Sequence, residues 1–100
     1  MQPNMRMIQQ MQQKIQQTQD ELAETIVEGT AGGGMVTVQV TALKSMQSIK
    51  ISPEAVDPND VEMLEDLIVA AINDAMANAE SVAASKMSAI TGGIKIPGLT

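Results

Sequence analysis

The sequence predicts an α+β domain, in the order helix, three-stranded antiparallel meander, long helix (α-β-β-β-α). Three observations predict it. Residues 57–91 carry an apolar face at helical spacing. Val36, Val38 and Val40 alternate with Thr37, Gln39 and Thr41. A Gln-rich opening stretch carries a narrow apolar seam.

The long helix organises the rest. In DPNDVEMLEDLIVAAINDAMANAESVAASKMSAIT, Val61, Leu64, Ile68, Ile72, Ala75, Ala79 and Val82 recur at steps of three and four. Leu67, Ala71, Met76 and Ala83 lie beside them. That is one broad helix face. Asp57 is the expected cap, with Pro58 at the first helical position and Asp60 and Glu62 near the positive end of the dipole. Thr91-Gly92-Gly93 is the expected stop. The small alanines on the stripe predict a close approach to a sheet or another helix.

The first helix is expected over residues 4–24, with Pro3 before or at its start. Ile8, Met11, Ile15, Thr18 and Leu22 form a short heptad seam with one polar position. Glutamine, a good helix former, fills much of the remaining surface. So narrow a seam suits packing on one helix over part of its length, with the N-terminal half projecting into solvent.

Residues 25–52 supply the sheet. Strands are expected at 25–31, 34–42 and 46–52. Gly32-Gly33-Gly34 turn between the first two, and residues 43–45 turn between the second and third. Ile49 and Ile51 share a face of the third strand, which Pro53 ends. A three-stranded sheet keeps edges, which invite pairing with a second copy. Residues 1–91 thus form one domain and residues 92–100 an expected flexible tail.

Composition narrows the function. The chain has 100 residues and no Phe, Tyr, Trp, Cys or His. The core must be built from Val, Ile, Leu, Met and Ala, which bury less area per residue and favour burial between subunits. Disulfides, Cys or His zinc sites, thiol nucleophiles and histidine bases are excluded. No signal-peptide pattern or membrane-length apolar run is present, so a soluble cytoplasmic protein is expected.

The net charge of −6 is unevenly spread. Residues 54–80 hold eight acids and no base, whereas residues 1–19 hold Arg6 and Lys14 and no acid. The arm is locally basic on an acidic body.

Several groups admit a site reading and a plainer one. Gly32–Gly34 lacks the Lys-Ser/Thr of a phosphate loop and leads into a strand, so it reads as a hairpin turn. Asp57, Asn59, Asp60 and Glu62 lack the Gly and distal Glu of a calcium loop and read as helix capping. Glu62, Glu65 and Asp66 read as a solvated helix face rather than an acid/base pair. The nine methionines read as core gap-fillers, with Met5, Met7 and Met11 also able to touch a partner. No catalytic, metal or cofactor set remains; cofactors, small-molecule substrates and membranes are not expected partners.

The arm keeps two readings. Arg6 and Lys14 can neutralise phosphates, and Gln9, Gln10, Gln13 and Gln17 can bond phosphates, sugars or base edges. The same residues also suit a solvated coiled-coil face. A dimer would present four arm cations. Without aromatics the chain cannot stack on single-stranded bases.

GTAGGGMVTVQV, followed by IKISPEAVDPNDVEMLEDLIVAAINDAMANAE, resembles the YbaB/EbfC family of bacterial nucleoid-associated proteins. The Met- and Gln-rich first helix and the TGG and late PG of the tail fit the same pattern. The resemblance implies an α-β-α subunit, a tight homodimer joined through its sheet, and arms projecting like tweezers. It implies binding of double-stranded DNA with little sequence preference, and a role in nucleoid organisation or gene regulation in the cytoplasm on the nucleoid. The matching arm positions are Arg6 and Lys14, with Gln9, Gln10, Gln13 and Gln17 as weaker contacts. Val36, Val38, Val40, Ile49, Leu64 and Ile68 are the expected dimer contacts. The arm carries Gln where many relatives carry Lys, so binding should be weaker and more sensitive to salt. The turn at residues 43–45 lacks the Asn-Gly type common in the family, so a different second hairpin is expected.

A non-enzymatic DNA-binding dimer is therefore the expectation. The alternative is an acidic protein-interaction module docking a partner through Met5, Ile8, Met11 and Ile15.

Overall fold

Helix α1 (Met5–Glu24) leads into strands β1 (Ile26–Ala31), β2 (Val36–Thr41) and β3 (Met46–Ile51), then a 3-10 turn over Pro53–Ala55 and helix α2 (Val61–Thr91). This is the architecture of a computed structural model, which describes residues 5–91, with the Thr91 side chain left out. The expected tail at residues 92–100 and the role of Pro3 lie outside the described residues.

The sheet is an antiparallel meander in the order β1-β2-β3. Val36, Val38 and Val40 of β2 pair with Ala31, Gly29 and Val27 of β1 and with Ile51, Ile49 and Met46 of β3, with a bulge between Gln39 and Val40. Cross-strand partners share a sheet face, so these residues form the apolar face. α2 lies over β1 and β2 and leaves most of β3 uncovered. Val36, Val38, Val40 and Leu22 are the largest fully buried side chains. Each contributes about 1.5–3 kcal/mol through burial.

The alanine stripe is where α2 meets the sheet. Ala71, Ala75 and Ala79 are fully buried, and their counterpart is Gly29. A Cβ built on Gly29 would fall on the Ala75 backbone nitrogen and 2.5 Å from the Ala71 carbonyl oxygen. The helix backbone therefore rests on the strand backbone with nothing between them.

Two side chains of α2 also close the outer edge of β1. The Thr30 backbone N–H donates to Asp74 Oδ2 at 2.9 Å, and Asn78 Nδ2 donates to the Glu28 carbonyl at 2.9 Å. Along β3, the other edge, no side chain of α2 makes such a bond among the described residues; the bond there is local, Gln47 Nε2 donating to the Met46 carbonyl at 3.3 Å.

The start of α2 differs from expectation. Asp57 accepts the Asn59 N–H at 2.9 Å and its carbonyl accepts the Asp60 N–H at 2.9 Å, so Asp57-Pro58-Asn59-Asp60 is a turn. Asp60 is the cap, its Oδ1 accepting the Met63 N–H at 3.2 Å. Pro58, with its fixed φ, serves the turn rather than the helix start. The hairpin turns follow glycine chemistry in the first case only. Gly32, Gly33 and Gly34 all have positive φ, whereas in the second turn Lys44 takes φ 70°. That is a left-handed position that Gly or Asn would occupy with less strain.

Candidate nucleic-acid interface

Among the described residues, α1 is buried only toward its C-terminal end. Thr18 and Leu22 are buried, and every described side chain from Met5 to Gln17 is exposed. Thr25 Oγ1 donates to the Glu21 carbonyl at 2.7 Å and ends the helix. α1 runs antiparallel to the last turns of α2. Lys86 Nζ lies 3.5 Å from Glu21 Oε2, and Lys14 shares a cleft with Ala89 and Ile90. The molecule measures 67 Å along its long axis and 23 by 16 Å across. α2 alone spans about 46 Å of a 31-residue helix. The first turns of α1 lie beyond that shared cleft, at the end of the molecule away from the α2 N-terminus.

Helical geometry gathers the expected contact residues. Taking about 100° per residue, Arg6, Gln9, Gln10, Gln13 and Gln17 fall on one face of α1. Lys14 stands about 80° round from Arg6 and about 12 Å along the axis. The seam of Ile8, Met11 and Ile15 occupies the opposite face. Arg6 and Lys14 make no ion pair among the described residues. Both side chains are exposed.

The described part of α1 up to Gln19 holds no acid; Asp20, Glu21 and Glu24 stand at its C-terminal end and the remaining acids off the helix. Asp60, Glu62 and Asp66 sit beside Met63, Leu67 and Ala70 on the first turns of α2, far from the arm along the same axis. Asp57 and Asp60 are engaged with the turn and the cap, and Asp74 with β1. The body is acidic at one end and the arm basic at the other.

The expected dimer contacts divide. Val36, Val38 and Val40 have no exposed surface in the single chain, so their side chains belong to the subunit core. The alternation marks them as buried but does not say that α2 does the burying. Leu64 and Ile68 are partly buried at the margin of that core. Ile49 is 42% exposed, and it lies on the uncovered part of the apolar face with Met46 and Ile51, at 45% and 37%. The register pairs Met46 and Ile51 with Val40 and Val36, which puts them on the same face as Ile49. Lys86 had no expected role, because nothing in its local sequence places it beside the arm.

Among the described residues no group of acidic side chains is arranged to hold a metal ion, and no helix is long and apolar enough to cross a membrane.

Known proteins share this chain's sequence and fold. The sequence profile of the YbaB/EbfC DNA-binding family matches residues 1–94. A nucleoid-associated protein of Chloroflexus aurantiacus is 57% identical over 91 residues, covering 91% of each chain. One from Caldanaerobacter subterraneus subsp. tengcongensis is 55% identical over 91% of this chain and 82% of its own. The crystal structure of an uncharacterized protein from Helicobacter pylori shares the fold with a TM-score of 0.69 at 24% identity, covering 85% of this chain and 87% of that one. The chain belongs to the YbaB/EbfC DNA-binding family, whose members are nucleoid-associated and are not enzymes.

Proposed function

We propose that the chain works as a homodimer on the bacterial nucleoid, holding double-stranded DNA between its α1 arms with little sequence preference. The carrying observation is the exposed polar face of α1, where Arg6 and Lys14 stand unpaired beside four glutamines. Two point charges meet phosphates wherever the duplex offers them and read no base pattern. The absence of aromatic residues leaves duplex rather than unstacked strands as the substrate. A protein with these properties contributes to nucleoid organisation or gene regulation by occupying DNA.

The homodimer is supported by the asymmetry of the two sheet edges. Asp74 and Asn78 occupy the backbone groups of β1, while β3 keeps an open edge beside exposed Met46, Ile49 and Ile51. A second copy meeting β3 covers that strip and the flank of α2 at Leu64 and Ile68. The two arms then project from one body.

The reading is tested by Arg6→Ala combined with Lys14→Ala. The variant folds and dimerises as the parent and binds unrelated duplexes less tightly, by the same factor. Parent-like affinity in the double variant would remove the arms from the binding site. A second reading rests on the opposite face, where Met5, Ile8, Met11 and Ile15 are between 39% and 71% exposed. They could dock a partner protein. Capture of a cellular protein in place of DNA at moderate salt would favour it.

A further inference from the structure

The cleft between α1 and α2 holds a second pair of groups suited to a phosphate. Its α1 wall carries Lys14, Gln17, Thr18 and Glu21, and its α2 wall carries Ser85 and Lys86, closed at the end by Ala89 and Ile90. Two of these, Lys14 and Gln17, already belong to the polar face assigned to DNA. Ser85 and Lys86 come from a segment 64 or more residues further along the chain. The fold brings them to the same cleft.

Lys86 is not idle. Its ammonium sits 3.5 Å from Glu21 Oε2, and both side chains remain open to water, at 44% and 61% exposed. An ion pair this exposed is worth little, about 0–1 kcal/mol. A DNA phosphodiester is a competing anion of the same charge, with two charged oxygens like the carboxylate, and it gains further from counterion release. The Glu21 side chain can turn to solvent when displaced, at small cost.

We infer that Lys86 is a further phosphate contact of the arm, and that Glu21 masks it until a duplex backbone takes its place. The inference rests on the DNA reading above. The cleft is a subsite for the backbone phosphate next to the one at Lys14, with Ser85 and Gln17 as neutral donors on either wall. Glu21 lowers affinity for polyanions in general, so weak or short anions are refused while a duplex, held already at Arg6 and Lys14, displaces it. The Lys-poor first helix thus borrows a cation from the last helix.

The test is a double-mutant cycle read by duplex binding across a salt series, with circular dichroism and sedimentation to establish that each variant stays folded. Glu21→Gln tightens binding about two- to fivefold, the weight of an exposed pair, and steepens the log-log salt slope by up to about 0.9 per lysine released. Lys86→Gln alone weakens binding, because the duplex loses a phosphate contact and Glu21 is left as an unpaired acid beside the backbone. In the Lys86→Gln background, Glu21→Gln gains no more than Glu24→Gln does in the parent. Glu24→Gln, on the same helix without a lysine partner, gives a smaller gain than Glu21→Gln. A Glu21→Gln gain that survives loss of Lys86 undiminished, parent-like binding by Lys86→Gln, or an unchanged salt slope overturns the inference and leaves the DNA reading standing. Absence of binding by the parent at low salt overturns both.

Discussion

A Cβ on Gly29 would clash with the Ala75 backbone nitrogen. Strand β1 and helix α2 meet there backbone to backbone, and the meeting fixes how the long helix crosses the sheet. The side chains of Leu64, Ile68 and Ile72 pack against the core along the same helix.

Gly29→Ala therefore forces the helix off the strand rather than a side chain off its rotamer. The expected loss is about 3 kcal/mol or more, at the upper end for overpacking because backbone has to move. Urea unfolding measures it. A variant as stable as the parent would show that α2 does not rest on β1 in this way.

The β1 edge gives a second prediction. Removing Asp74 or Asn78 by alanine substitution frees one backbone group of β1 and costs about 1 kcal/mol each. It also uncovers an edge able to pair with other chains. Light scattering on Asp74→Ala/Asn78→Ala should show new association beyond the parent's oligomer. Parent-like behaviour would mean that the edge is guarded by something other than these two residues.

The helix cap separates two neighbouring aspartates. Asp60→Ala loses about 1 kcal/mol, the weight of an N-cap. Asp57→Ala loses less, since its carboxylate holds an exposed turn rather than a helix end. Thermal unfolding of the two variants checks the order, and the reverse order would return the cap to Asp57.

Ile49→Lys addresses the dimer. Ile49 is exposed on the part of the sheet that α2 leaves open, so a charge there costs the subunit fold little. It lies at the centre of the proposed contact. Sedimentation should find the variant as a folded monomer where the parent is a dimer. A dimeric Ile49→Lys would move the contact away from β3.

These positions show what the sequence makes legible. The periodicity of Leu64 to Val82 and the alternation of Val36, Val38 and Val40 specify element type and inward face, because 3.6 and 2 are distinct repeats. The alanine stripe announces a close approach. Its partner does not announce itself: one glycine within a strand, Gly29, has no signature that separates a packing requirement from a weak strand. Asp74 and Asn78 read as solvated polar positions on a helix, and only the fold lays them along β1. Asp57 and Asp60 are equally good caps by type, and the turn through Pro58 decides between them. For the arm, the spacing of Arg6, Gln10, Gln13 and Gln17 is legible as one face. Lys86 joins that neighbourhood through tertiary structure alone.

The most direct measurement is the affinity of the dimer for a labelled duplex, by fluorescence anisotropy, across a salt series and on two unrelated sequences. If all four arm cations of a dimer engage phosphates, log Kobs falls linearly with log salt with a slope of about −3.6. Both sequences should give the same line. No binding at low salt, or a slope that Arg6→Ala/Lys14→Ala leaves unchanged, would contradict the assignment of the duplex to the α1 arms.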